Sequence, residues 1–285
     1  MTLSRTGFHP FTLASVQRIA LAWLLVLFST YLSGDGLPHI QSQLTQGGFF
    51  IGQVEPGSSV VFNDREVRVS SEGRFVIGFG RDARLKQQYS VTSPSAKVLK
   101  HSLTLEKRQY KVQRINGVAG KYVKPAEAVL KRIQLENLEV RSARQFDTKA
   151  LDFFRGFSRP AKGPVSGVYG SQRYFNGEPR RPHFGLDIAG PVGTQVVAPA
   201  DGIVRLAESD LYFSGGTIII DHGFGLSTSY LHLSKLEVAE GDRVSRGGVI
   251  GRMGATGRVT GPHLDWRLNW FDQRLDPALM LVEEL

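Results

Sequence analysis

His183 and Asp187 stand four residues apart in Arg181-Pro-His-Phe-Gly-Leu-Asp187, just ahead of Gly190-Pro191-Val192-Gly193. An imidazole nitrogen and a carboxylate oxygen are both ordinary zinc ligands, and a catalytic zinc takes three protein ligands and leaves one position open for water. The pair supplies two of the three, and a histidine and an aspartate are also what an ordinary turn contains. Positions four apart share a face on a helix and on a strand. Gly185, Gly190, Pro191 and Gly193 break helices, and Val196-Val197 and Ile203-Val204 favour extended backbone, so the pair belongs on a strand or loop.

The elements that must position this pair are those of a globular chain. Its 285 residues are 41% hydrophobic and 21% charged, enough for two compact domains and too apolar for disorder. The net charge of +9 suits an anionic partner: nucleic acid, phospholipid headgroups or the polymers of a cell envelope. Cysteine is absent, which excludes a disulfide framework and a thiolate metal site and leaves any metal to His and carboxylates.

Residues 1–36 read as a signal peptide or an N-terminal anchor. Arg5 and Arg18 precede a 14-residue apolar run, Ile19 to Leu32, followed by Ser33-Gly34-Asp35-Gly36. That length suits a signal-peptide core and falls short of the roughly 20 residues that span a bilayer. The expected location is therefore exported, in the periplasm or cell envelope, with possible association with the inner membrane through this segment.

Residues 37–107 alternate short extended segments with turns at Pro56-Gly57, Asn63-Asp64, Glu72-Gly73 and Ser93-Pro94. This predicts a small β-sandwich with strands near 48–54, 59–62, 66–69, 74–79, 89–92 and 102–105. No His or carboxylate cluster stands out there, which points to positioning or binding. Residues 108–157 form a basic helical connector. Ala126, Val129, Leu130 and Ile133 recur at helical spacing, predicting a helix over 125–143 whose basic face either lies along an acidic surface or is solvated.

From Ser158 to Leu285 the motifs fall into an order. Val168-Tyr-Gly170-Ser-Gln-Arg173-Tyr-Phe-Asn176-Gly177 comes first, then His183-Phe-Gly-Leu-Asp187, Ala198-Pro-Ala-Asp-Gly202, Tyr230-Leu-His232-Leu and Thr260-Gly-Pro-His263-Leu-Asp265. Over about 120 residues this resembles the lysostaphin-like, LytM-type M23 zinc metallopeptidases. The resemblance implies a compact antiparallel β domain with the metal in a groove, and the whole chain is then mainly β. Extended segments near 202–204, 216–221, 227–231 and 249–252 agree with it.

The resemblance also implies roles. His183 and Asp187 match two Zn2+ ligands, and His232 and His263 match the catalytic histidines that act on the water. Where the family has its third ligand, a histidine, this sequence has Asp265. Nδ1 of histidine and Oδ of aspartate are each two bonds from Cβ, so the carboxylate can reach the same metal, and we expect Asp265 to be a ligand. Two carboxylates and one imidazole would cancel the charge of zinc, which predicts a less acidic water and a gain in activity for Asp265→His. His39, His101 and His222 match nothing and are expected to be structural or on the surface. The implied function is a metalloendopeptidase cleaving peptide cross-links of peptidoglycan, a cell-wall hydrolase. The alternative is a catalytically degenerate M23 domain that binds cell wall or regulates an amidase. The export signal argues against a nucleic-acid partner.

Overall fold

Alternation of apolar and polar side chains builds the first sheets of the computed structural model, which describes residues 40–116 and 126–282. Strands β1 (Phe49–Gln53) and β4 (Arg74–Gly78) pair antiparallel. A separate four-stranded antiparallel sheet runs β3 (Arg65–Val67), β2 (Ser59–Phe62), β5 (Lys86–Thr92), β6 (Val98–Thr104). Along β2 the period-two pattern buries Val60 and Phe62 and turns Ser59 and Val61 outward. All six expected strands are present.

Among its described residues the connector contributes β7 (Val112–Ile115), one α-helix, α1 (Glu127–Ser142), and a 3-10 turn at Asp152–Arg155. Pro125, which the sequence reading placed at the helix start, and the apolar N-terminal run with His39 lie outside the described residues. No residue of α1 is buried, and Leu130, Leu135 and Leu138 are exposed. A helix of this length is marginal alone, so its hold on the rest of the chain is specific. Arg132 reaches Asp210, the Glu136 carboxylate accepts from the Tyr212 amide at 2.9 Å, and Val140 packs on a small cluster with Leu206, Leu211 and Ile219.

The C-terminal part comprises β8 (Val165–Gly167), β9 (Gln172–Phe175), β10 (Glu178–Pro179), β11 (Gly185–Ala189), β12 (Gln195–Val197), β13 (Gly202–Leu211), β14 (Gly215–Gly223), β15 (Leu226–Leu236), β16 (Arg243–Val244), β17 (Val249–Met253), β18 (His263–Trp270) and β19 (Gln273–Leu275). The main antiparallel sheet has the order β16-β13-β14-β15-β18-β11-β8. Strands β13, β14 and β15 run longer than the sequence segments suggested because the hairpin ends, such as Glu208 to Asp210, are polar and carry no periodic signal.

One apolar core runs from the first sheets into the main one. Phe49, Phe62, Phe75 and Ile77 belong to the same buried cluster as Ile188, Leu264, Trp266 and Trp270. The Phe62 and Trp270 rings lie 6.0 Å apart, and a side chain at Gly78 would sit 2.5 Å from Trp270 Cβ. The described residues accordingly form one compact unit.

Candidate metal centre and groove

Strands β11 and β18 set the two carboxylates of the centre directly opposite each other, with Asp187 paired to Asp265, Ala189 to His263 and Gly185 to Arg267. The alternation of β18 turns His263, Asp265 and Arg267 to one face and Leu264, Trp266 and Leu268 into the core. His183 sits two residues before β11, fixed through its own backbone: its amide donates to the Ser171 carbonyl at 2.8 Å, and its carbonyl accepts from the Gly170 amide at 2.7 Å. His183, Asp187 and Asp265 are all buried, and their ligand atoms lie within 4.8 Å of one another.

Two glycines make room for the carboxylates. A Cβ at Gly185 would lie 2.0 Å from Asp265 Oδ1, and one at Gly167 would lie 2.2 Å from Asp187 Oδ2. Like charges facing each other across a sheet repel, so cations must hold this pair. Arg173 donates to Asp187 Oδ2 at 2.7 Å. Arg267 grips Asp265 twice, Nε to Oδ1 at 3.0 Å and Nη2 to Oδ2 at 2.5 Å. Burial pushes the Asp265 carboxyl up, but Arg267 overrides it and holds the group far below the usual carboxylate range. For Asp187, burial and the facing Asp265 push up, and His183 and Arg173 outweigh them, leaving the carboxyl below its ordinary value.

The centre also has unspent atoms. His183 Nε2 lies 3.0 Å from Asp187 Oδ1, yet neither His183 nitrogen nor that oxygen has a hydrogen-bond partner of acceptable geometry. Buried polar atoms left unpaired are costly. Three of them, converging with a second carboxylate, suit a cation that the group is arranged to hold.

His232 and His263 face this cluster, ring centroids 4.9 Å apart. Each Nδ1 contacts a backbone carbonyl, Thr256 O at 2.8 Å for His232 and Gly261 O at 2.9 Å for His263. A carbonyl only accepts, so Nδ1 carries the proton and Nε2 is the basic nitrogen in both neutral rings. His263 Nε2 lies 3.9 Å from Asp187 Oδ1. His232 reaches the site through an irregularity in β15, where the register against β14 shifts between Tyr230 and Leu233 and His232 takes φ +68°. Such a bulge re-aims a side chain, here at the cost of a left-handed backbone on a non-glycine residue. Burial lowers the His232 pKa to about 4.

These residues line one groove of about 930 Å³, walled on one side by Ile133, Glu136 and Val140 of α1. The sequence match agrees with this site. The model of peptidase family M23 matches residues 181–277. A solved structure of a putative peptidase M23 from Pseudomonas aeruginosa is 30% identical, with TM-score 0.68 over 84% of this chain and 95% of that one.

The chain belongs to peptidase family M23. Among curated members, the peptidoglycan DD-endopeptidase ShyA of Vibrio cholerae is 49% identical over 87 residues, 30% of this chain and 20% of that protein. The DD-carboxypeptidase/endopeptidase Mpg of Neisseria meningitidis is 42% identical over 98 residues, 34% of this chain and 22% of that protein. The chain thus spans about a fifth of the length of these curated M23 relatives.

All five site residues expected from the sequence meet in this M23 groove: His183, Asp187, Asp265, His232 and His263. His222 is fully buried, its Nδ1 2.8 Å from the Asp201 carbonyl and its Nε2 2.7 Å from Thr228 Oγ1, and His101 stacks on Tyr89. Two features escaped the sequence reading. Arg267 changes the charge of the centre, so the expectation of two uncompensated carboxylates is corrected: each has a guanidinium against it. The signal for Arg267 was available, since opposite charges two apart on a strand share a face. The basic residues of the helix, Lys131, Arg132 and Arg141, are exposed, and what the sequence did not show is that its other side lines the groove, because Glu136 and Val140 find partners on strands far away in sequence.

Proposed function

We propose that the chain is a zinc-dependent endopeptidase that cuts peptide cross-links of bacterial peptidoglycan outside the cytoplasmic membrane. The observation that carries this reading is the convergence of His183, Asp187 and Asp265 with unbonded ligand atoms beside two histidines whose Nε2 atoms are basic. One imidazole and two carboxylates suit zinc, with His183 offering a ring nitrogen and each aspartate one oxygen. A zinc ion held by these three residues would supply Lewis acidity toward a scissile carbonyl and lower the pKa of a water toward about 7.

The chain's own residues move the proton. His232 is neutral at pH 7 because burial depresses its pKa, so its Nε2 is free to accept. His263, 18% exposed at its side chain and within 3.9 Å of Asp187, is placed to share that proton and return it to the leaving amine. Arg173 and Arg267 orient the two aspartates. Residues 37–107 act as a positioning domain for the domain from 158 onward. The substrate class rests on relatives named peptidoglycan DD-endopeptidases and on a net charge of +9 suited to an anionic polymer. The exported location rests on Arg18 and the apolar run after it. Among the described residues no helix is long and apolar enough to cross a membrane.

One observation favours a second reading, a catalytically degenerate module that binds cell wall: Arg267 already occupies both oxygens of Asp265. Against it, Asp187 Oδ1 and both His183 nitrogens are left unbonded, which a site without a metal would not need. Metal analysis combined with digestion of purified sacculi decides between them. Stoichiometric zinc with release of soluble fragments supports the endopeptidase, and zinc binding without release supports the module.

A further inference from the structure

Arg144 follows the C-terminus of α1 and is 7% exposed, yet among the described residues no carboxylate pairs with it. Its Nη2 donates to the neutral hydroxyl of Ser229 at 3.2 Å, and its Nε is buried with no partner. The neighbouring cations give no relief. Arg274 donates to the neutral Asn269 Oδ1 at 3.0 Å, and Arg267 spends its fork on Asp265. Burial, then repulsion from Arg274 and from Arg267, push the Arg144 pKa well below its ordinary value, against a weaker pull from Asp272 and Asp265. Asp272, the other acid near Arg144, is engaged with Gln145 at 3.2 Å. All three arginines line the groove that holds His183 and Asp265.

A buried guanidinium without a paired carboxylate is costly to keep, and a groove wall is where an incoming anion could satisfy it. We propose that Arg144 and Arg274 form an oxyanion subsite beside the metal centre, which takes a free carboxylate of the peptide substrate, with the fully buried Ser229 hydroxyl holding Arg144 in place. Guanidinium groups present several donors in a fixed fork that matches a carboxylate. The carboxylate assignment rests on the peptidase reading above, whereas the anion site itself does not.

The test uses the full zinc-loaded chain, with sodium sulfate as the probe against sodium chloride at matched ionic strength. Sulfate should raise the unfolding temperature saturably, and Arg274→Met should abolish that rise. Arg144→Met should also abolish it while raising the unfolding temperature without sulfate, because it removes an unpaired buried charge; a purely structural arginine would give a fall. Ser229→Ala, which removes no charge, should weaken the sulfate effect and serves if either arginine variant fails to fold. On sacculi, amidating the free carboxylates should cut the rate of the wild type about ten-fold or more and leave Arg274→Met almost unchanged. A sulfate effect equal in wild type and variants overturns the subsite. Intact sulfate binding with cleavage indifferent to amidation overturns the carboxylate assignment. Intact sulfate binding with no cleavage of any sacculi tells against the peptidase reading and leaves the anion subsite standing.

Discussion

Arg267 holds both carboxylate oxygens of Asp265, at 3.0 and 2.5 Å, from the next outward position of the same strand. The two residues therefore act as a unit. A zinc ion with two bare carboxylates would be neutralised and its water less acidic, but Arg267 and Arg173 return positive charge to the centre. We expect activity near neutral pH, not the raised optimum that the ligand set alone suggests.

It follows that Asp265→His alone should not improve the protein. It would strand the Arg267 guanidinium, at a cost of about 3 kcal/mol, and place it against a metal-bound imidazole. Asp265→His combined with Arg267→Met should recover both stability and zinc binding. Denaturant titration and metal analysis of the two single variants and the double variant check this coupling; additive effects would show that the pair is not a unit.

The division of roles predicts different losses at His183 and at His263. His183→Ala should lose zinc. His263→Ala should keep most of its zinc and lose turnover by about 10² to 10⁴, the usual worth of a positioned acid or base. Equal loss of zinc in both variants, measured after dialysis, would contradict the assignment.

Gly185→Ala tests the space around Asp265 without a φ penalty, because Gly185 is not in the left-handed region, and the tightest contact of an added Cβ with backbone is 2.9 Å to the Trp266 carbonyl oxygen. The new Cβ would fall 2.0 Å from Asp265 Oδ1 and force the carboxylate aside. Zinc affinity should drop about 10- to 100-fold in a chain that still folds. Unchanged affinity would mean that Asp265 is not a ligand.

His222 gives the chain a pH dependence away from the metal. Its pKa is lowered to about 4 by burial, while the unfolded chain binds the same proton with a pKa of about 6.5. The unfolded state thus holds more protons between those values. Stability contributed by the neutral ring is complete above pH 6.5 and is lost as pH falls toward 4, by on the order of 3 kcal/mol. His232 shifts in the same direction. Thermal unfolding of the metal-free chain at pH 7.5 and 4.5 should show the fall, and His222→Gln should show a smaller one.

Much of this site was legible in the sequence because its parts are local. His183 and Asp187 are one strand segment, and His263-Leu-Asp265 is the start of another. Their meeting was carried by the ordered motifs of the family, since no periodicity states that β11 lies beside β18. What stayed hidden depends on distant partners. Arg144 acquires its meaning from Ser229 and Arg274, which lie 85 and 130 residues away along the chain. The bulge that aims His232 likewise arises from register against β14, which a single strand's sequence does not specify.

The most direct test of the account is the release of new amino groups from purified sacculi by the full chain carrying one equivalent of zinc. Release should be proportional to bound zinc, stop on chelation and be absent in His183→Ala and Asp265→Ala. Stoichiometric zinc in the wild type with no new amino groups, or release that survives chelation, would contradict it.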